Sequence, residues 1–206
     1  MTTSTSTSSV NHQFPFDFYP HPTQDSDFLK QLEFFPGLKE ILTIRQVHAL
    51  EHATVWVLSE LANSETVAAS NESIGGMSTP QGFYLYGAID PSQLNQAVET
   101  ALQRITSGEW NLAVHPRCGT NLSVAMTLTA GFALGINMLL PPKPIEQLLG
   151  FGIAATVATQ LAPELGSLAQ KYLTTAIPFN LRVIDISITQ DLWGRPAHFV
   201  QISWLN

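Results

Sequence analysis

The chain has 206 residues, enough for one ordinary domain, and carries 9 Lys and Arg against 16 Asp and Glu. That acidic balance offers no electrostatic footprint for nucleic acid, and the single cysteine, Cys118, excludes an internal disulfide framework. Only 12% of the residues are charged, against roughly 25% in soluble domains, and a membrane segment is the simplest explanation of that deficit.

Residues 1–13 are a Ser/Thr tail without apolar pattern, and residues 14–22 interleave Phe14, Phe16, Phe18 and Tyr19 with prolines. Residues 1–22 are therefore expected to form a disordered tail. There is no basic segment followed by an apolar one before residue 30, and no Arg-rich leader, so the working domain is expected to face the cytoplasm. Asp25 to Phe35 has the pattern of a short amphipathic helix stopped by Pro36-Gly37. A longer helix is expected over Thr43–Ala62, opened by a capping box of Thr43 and Gln46. Residues 63–81 read as a loop, and Phe83–Tyr86 as a short strand. Asp90-Pro91 then starts another helix, with Leu94, Ala97, Val98, Ala101, Leu102 and Ile105 as its apolar stripe and Gly108 at its end.

Trp110–Val114 reads as a strand that delivers His115-Pro116-Arg117-Cys118-Gly119-Thr120 into a turn. From Cys118 to Pro142 there is no charged residue, and residues 121–140 are mostly apolar. A helix of about 20 apolar residues crosses a bilayer. A second uncharged run, Gln147–Pro163, is shorter and fits a spanning, tilted or re-entrant helix. Gly131 and Gly135 in the first run, and Ala154, Ala158 and Ala162 in the second, have the small-residue spacing that lets helices approach closely in lipid. The alternative is a buried helical hairpin in a soluble protein; charge content and length favour the membrane. Lys143 is the one basic residue between the runs, which places both termini in the cytoplasm.

Arg182–Thr189 and His198–Leu205 alternate like strands around a turn at Trp193-Gly194-Arg195-Pro196. They are expected to join Phe83–Tyr86 and Trp110–Val114 in one sheet. The expected fold is thus α+β: a small sheet with two or three helices, carrying a metal site and interrupted by an apolar, transmembrane helical hairpin. The α+β domain would comprise residues 23–120 and 178–206, and the hairpin residues 121–177.

The chemistry centres on His48-Ala49-Leu50-Glu51-His52. On a helix His48 and His52 stack one turn apart, at the edge of an apolar arc formed by Ile44, Val47, Leu50, Val55 and Leu58. Glu51 falls inside that arc, and a carboxylate aimed at a core is costly unless protonated, paired or metal-bound. H-x-x-E-H is the reversed zincin order, in which two imidazoles bind zinc and the glutamate serves as general base. A five-residue pattern is a weak signal alone. His115 and Cys118 strengthen it, because a thiolate is among the best zinc ligands and a tetrahedral site needs a third or fourth protein group. His12, His21 and His198 read as ordinary surface or hydrogen-bonded histidines. Cys118 also reads as a small buried hydrophobe or a reactive thiol. Arg117 is a candidate to hold a substrate anion or lipid phosphate, or to pair with Glu51.

These two motifs resemble those of an uncharacterised bacterial membrane-protein family described only as predicted metal-dependent enzymes. That family carries H-G-A-E-H on a helix and H-P-R-C-G-T-S immediately before a transmembrane run. The matching residues here are His48, Glu51, His52, His115, Pro116, Arg117, Cys118, Gly119 and Thr120, with the uncharged run directly behind. Asn121 departs from the family's Ser, and the interval between motifs is longer. The chain also resembles a group of uncharacterised cyanobacterial proteins, which implies a thylakoid or plasma membrane. What the resemblance implies is a shared site rather than a known reaction.

Three functions fit these residues. The first is a membrane-embedded zinc enzyme, a hydrolase, with His48, His52, Cys118 and His115 at the metal and Glu51 and Arg117 in catalysis. Its substrate would be met at the membrane surface: a lipid, a lipophilic pigment or a membrane-protein segment. The second is a membrane assembly or scaffold protein whose zinc is structural and fully enclosed by four protein ligands. The third is metal-free thiol chemistry at Cys118, which leaves H-x-x-E-H unexplained.

Overall fold

The protein is described from a computed structural model, which covers residues 19–32, 34–64, 74–139 and 143–205. Most of the expected N-terminal tail lies outside the described residues. The elements in chain order are α1 (Gln24–Gln31), α2 (Leu38–Ser64), β1 (Gly75–Thr79), β2 (Gly82–Tyr86), α3 (Pro91–Thr106), a 3-10 turn (Trp110–Ala113), α4 (Gly119–Leu139), α5 (Pro144–Ala169), a π-helical turn (Gln170–Thr174), β3 (Leu181–Gln190) and β4 (Pro196–Trp204). The architecture is α+β, with one antiparallel sheet in the order β1-β2-β4-β3.

The core is built around α2, which packs against α3, β1, β2, β3, the 3-10 turn and the π turn. Leu42, Val47, Ala49, Leu50, Ala53, Val57 and Leu58 are all buried, and so are the polar Thr43, Gln46, Glu51, His52 and Thr54. A helix surrounded on nearly every side has no solvent face to fill with charge. Phe83, Leu85, Val200 and Ile202 cover it from the sheet, and Leu94, Ala97, Val98, Ala101 and Ile105 from α3. The start of α3 follows from its sequence: Asp90 Oδ1 accepts from the N–H groups of Ser92 (2.8 Å) and Gln93 (3.1 Å), and Pro91 occupies the first turn.

Four expectations are corrected. Helix α2 begins at Leu38, so Thr43 lies inside it rather than capping it. Gln46 instead donates from Nε2 to Asp25 Oδ2 (2.5 Å) and Asn180 Oδ1 (3.0 Å), tying α1 and the start of β3 to α2. The first helix is shorter than expected, ending at Gln31. The interval read as a loop contains β1, an edge strand paired with β2 through Met77↔Tyr84 and its neighbours. Trp110–Ala113 is a 3-10 turn and not a fourth strand. Its carbonyls serve side chains rather than a ladder: Trp56 Nε1 donates to Val114 O (3.0 Å), and Ala113 O receives a histidine of α2.

Helices α4 and α5 form a hairpin whose members are both long and apolar enough to cross a membrane; α5 with its π turn covers Pro144–Thr174. They meet along a stripe of small residues on α5, Gly150, Ala154, Ala158, Ala162 and Gly166, all buried. At Gly166 a side chain would overlap Asn121. On α4, by contrast, Gly131 and Gly135 have nothing within 4 Å of a built Cβ, so this pair does not make the close approach. Leu122, Met126, Leu134, Met138, Ile145 and Leu148 are 62–84% exposed. Among the residues of α4 none is buried.

Candidate metal centre

Helix α2 places His48 and His52 one turn apart, with ring centroids 4.3 Å apart. Each ring is fixed from behind by a backbone carbonyl. His48 Nδ1 lies 3.0 Å from Thr174 O, in the π turn, and His52 Nδ1 lies 2.6 Å from Ala113 O, in the 3-10 turn. A carbonyl can only accept, so in the neutral form of each ring Nδ1 carries the proton and Nε2 is left as a lone-pair donor, whereas in the imidazolium form Nε2 also carries a proton. This is the arrangement that orients metal-ligating histidines and raises their basicity.

Cys118 closes the group. Its Sγ lies 3.2 Å from His48 Nε2, and the donor atoms of His48, His52 and Cys118 all lie within 4.8 Å of one another. Donors around a zinc bound at 2.0–2.3 Å in tetrahedral geometry are separated by about 3.5 Å, so this set is compact enough to share one ion. The sulfur sits at the first turn of α4, where Thr120 N–H points at it (3.4 Å) and Thr120 Oγ1 lies 3.4 Å away. Burial works to raise the Cys118 pKa. Hydrogen bonding from His52 and Thr120, and the charge of His52, outweigh burial and bring it below the ordinary thiol value.

Glu51 is buried, 7% exposed, on the same turn of α2. Its partner comes from β1: Ser78 Oγ donates to Glu51 Oε2 (2.5 Å). Burial pushes the carboxyl pKa up, against lowering by the Ser78 hydrogen bond and by His48. Gly76, on the same strand, packs directly on the carboxylate, and a Cβ there would overlap Glu51 Oε1.

His115 stands beside this group, outside the set of three. Its ring lies 5.7 Å from that of His52 and 5.0 Å, edge-on, from Trp56. Its Nδ1 accepts from Arg117 N–H (3.3 Å), and burial, with the charges of His52 and Arg117, lowers its pKa to about 4. Its own N–H donates to Gln170 Oε1 (2.8 Å); Gln170 Nε2 donates to Asn121 Oδ1 (2.8 Å), and Asn121 Nδ2 to Pro116 O (2.7 Å). Asn121 thus pins the Pro116 turn to the ends of both apolar helices. Arg117 is exposed and, among the described residues, makes no ion pair with Glu51.

His48, Glu51, His52, Ser78, His115, Arg117 and Cys118 line one cavity of about 560 Å³. Ile41, Ile44 and Leu173 add an apolar lining, and Gly119 and Thr120 bring the start of α4 to its wall. A ligand pocket has this size and this mixture of apolar wall and few converging polar groups.

Residues 43–186 match a family described as a domain of unknown function, DUF6391. The chain belongs to that family. It is also 52% identical over 198 residues to an uncharacterized protein of Picosynechococcus sp., a cyanobacterium, covering 94% of this chain and 97% of the relative. No solved structure matches the chain. Within this DUF6391 chain the matched segment contains His48, Glu51, His52, Gly76, Ser78, His115, Cys118 and Thr174.

Several of these escaped the sequence. Ser78 and Gly76 lie in an interval without apolar alternation, and their role depends on β1 packing on α2. Thr174 and Ala113 act through carbonyls, which leave no side-chain signature. Gln170 had a legible signal: a polar residue directly after a long apolar helix, completely buried here.

Proposed function

We propose that this DUF6391 protein is a membrane-embedded, zinc-dependent hydrolase acting at the membrane surface. The observation that carries the reading is the convergence of His48 Nε2, His52 Nε2 and Cys118 Sγ beside a buried glutamate at the wall of one cavity. Two imidazoles and a thiolate suit zinc among divalent metals. Three protein ligands are the number of a catalytic site, which keeps a position open; structural sites are closed by four.

A zinc ion held there supplies Lewis acidity and favours ionisation of water near neutral pH. The chain's own residues do the rest. Glu51, its carboxyl pKa raised by burial, takes a proton from water in the cavity and returns it to the leaving group, while Ser78 holds the carboxylate in place. Arg117, at the cavity wall, holds an anionic part of the substrate. His115, kept neutral near pH 7 by its lowered pKa, lines the same cavity beside the three ligands.

The hairpin supports the membrane part of this reading: α5 meets α4 along its own small residues, and both helices leave large apolar side chains outside. With Lys143 alone between them, both termini lie in the cytoplasm. Cys118 immediately precedes α4, so the cavity opens where the chain enters the bilayer, and the substrate is a lipophilic molecule or a membrane-protein segment. The test is hydrolysis of micelle-dispersed fluorogenic esters and peptides by zinc-loaded wild type and Glu51→Gln. Turnover in wild type and loss of it in a variant that keeps its zinc is the expected result. Full turnover in the variant would remove Glu51 from the mechanism.

The placement of His115 beside the group keeps a structural-zinc scaffold as the second reading. Four protein ligands in the X-ray absorption spectrum of the zinc-loaded protein would favour it, and three would favour the enzyme.

A further inference from the structure

Strand β1 lies at one edge of the sheet, paired with β2 on its inner side. Gly75, Gly76, Met77 and Ser78 of that strand line the same cavity as the three candidate ligands. The pairing shows which of their backbone groups face outward. Gln81 O accepts from Ile202 N–H (3.0 Å), so Gln81, Phe83 and Leu85 direct their backbone groups to β4. Gly82, Tyr84 and Tyr86 therefore bond to their partners in β1, which are Thr79, Met77 and Gly75. The N–H and C=O groups of Gly76 and Ser78 are left pointing away from the sheet. Gly76 is exposed although the Glu51 carboxylate fills the place of its side chain, so the surface it offers the cavity is open backbone. A sheet edge with such groups is a template for a further strand.

We propose that the cavity takes its substrate as an extended peptide, laid as an added strand along the free edge of β1 and held by the backbone groups of Gly76 and Ser78. This rests on the hydrolase reading and names the substrate class of that site. Strand addition draws affinity from main-chain hydrogen bonds and specificity from pockets that receive alternate side chains. Ile41, Ile44, Val55, Ile74 and Leu173 supply apolar wall for such side chains. A lipid or simple ester has no row of amides and would leave the edge unused. Ser78 joins the edge to the chemistry: its backbone faces outward while its Oγ holds Glu51 Oε2 (2.5 Å). Hydrolysis moves the oxygen of water to the acyl carbon and breaks the amide C–N bond. One proton of that water passes through Glu51 to the leaving amine, and the other stays with the acid.

The experiment is fluorescence anisotropy on detergent-purified full-length protein, zinc-loaded and metal-free, with the fluorescein-labelled peptide Lys-Thr-Val-Leu-Val-Thr-Lys. Two further versions carry N-methyl groups on alternate amides, one on the even and one on the odd residues of the peptide. In a paired strand only every second amide faces the edge. One methylated version should therefore bind about tenfold more weakly, as loss of one or two backbone hydrogen bonds does. The other should bind as the parent does, with or without zinc. A benzophenone-bearing version should cross-link to residues 74–79. No binding of the parent, equal affinity of the two methylated versions, or cross-linking to β3, the sheet's other edge, would overturn the inference. Turnover of the fluorogenic ester without peptide binding would remove the strand and leave the hydrolase. Alternating peptide binding without hydrolysis of any substrate would keep the strand and remove the hydrolase.

Discussion

His48 Nε2 lies 3.2 Å from Cys118 Sγ, across 70 positions of sequence. The approach is made by two backbone anchors: the π turn after α5 holds the far side of the imidazole, and the first turn of α4 holds the sulfur. The candidate metal site therefore lies where the apolar hairpin joins the α+β body, and disturbing that junction should disturb the site.

Glu51 and Gly76 give the first prediction. A methyl group on Gly76 would overlap the carboxylate, so Gly76→Ala must displace Glu51 from Ser78. We expect a loss of about 1–3 kcal/mol in stability, the range for overpacking. We also expect zinc to stay bound while turnover falls at least tenfold. Chemical denaturation with zinc analysis on the same sample checks both. An active Gly76→Ala would mean that the position of Glu51 does not matter.

His115 separates the two functional readings. Because it lies outside the three-residue group, His115→Ala should retain one zinc per chain and lose activity only in part. Loss of zinc would make it a fourth ligand and favour a structural site.

The hairpin makes a paired prediction. Gly166→Ala inserts a Cβ against Asn121, which links Gln170 to the Pro116 turn, whereas Gly131→Ala and Gly152→Ala meet nothing within 4 Å. The first should lower Tm in detergent and weaken metal binding through the displaced turn. The other two should leave both unchanged. Equal behaviour of all three would contradict the α4–α5 packing described here.

A pH dependence is expected at the β3–β4 turn. Asp191 is buried, and burial works to raise its pKa. Backbone N–H bonds from Arg195 (2.9 Å), its guanidinium (2.7 Å), Tyr86 OH (2.9 Å) and Trp193 N–H (2.9 Å) outweigh that and hold it at about 2, below the ordinary 3.8. A depressed carboxyl pKa stabilises the fold above the unfolded value, and the benefit disappears as pH falls through the folded one. Wild type should therefore be more stable than Asp191→Asn at pH 5. The difference should shrink between about pH 4 and 2, as followed by denaturant unfolding. A pH-independent difference would mean that charge is not the cause.

The sequence disclosed what side-chain periodicity controls. The stripe of α3 and its Asp90-Pro91 start were legible, and the burial of Glu51 followed from its place in the apolar arc of α2. The apolar lengths of α4 and α5 were legible too. What it hid depended on partners far along the chain. Gly75–Thr79 lacks strand alternation and becomes β1 only by pairing with β2. Trp110, Leu112 and Val114 alternate like a strand, but the carbonyls at 113 and 114 are claimed by His52 and Trp56 before any strand could pair. The small residues that make the helix contact are those of α5; Gly131 and Gly135 have the same spacing without a neighbour, because spacing does not say which face meets a partner.

The most direct measurement is the metal content of detergent-purified protein by elemental analysis, for wild type, His52→Ala and Cys118→Ser. The account predicts one zinc per wild-type chain and its loss in both variants, since residues from α2 and from the start of α4 share one ion. Wild type without metal, or variants that hold zinc as wild type does, would contradict it.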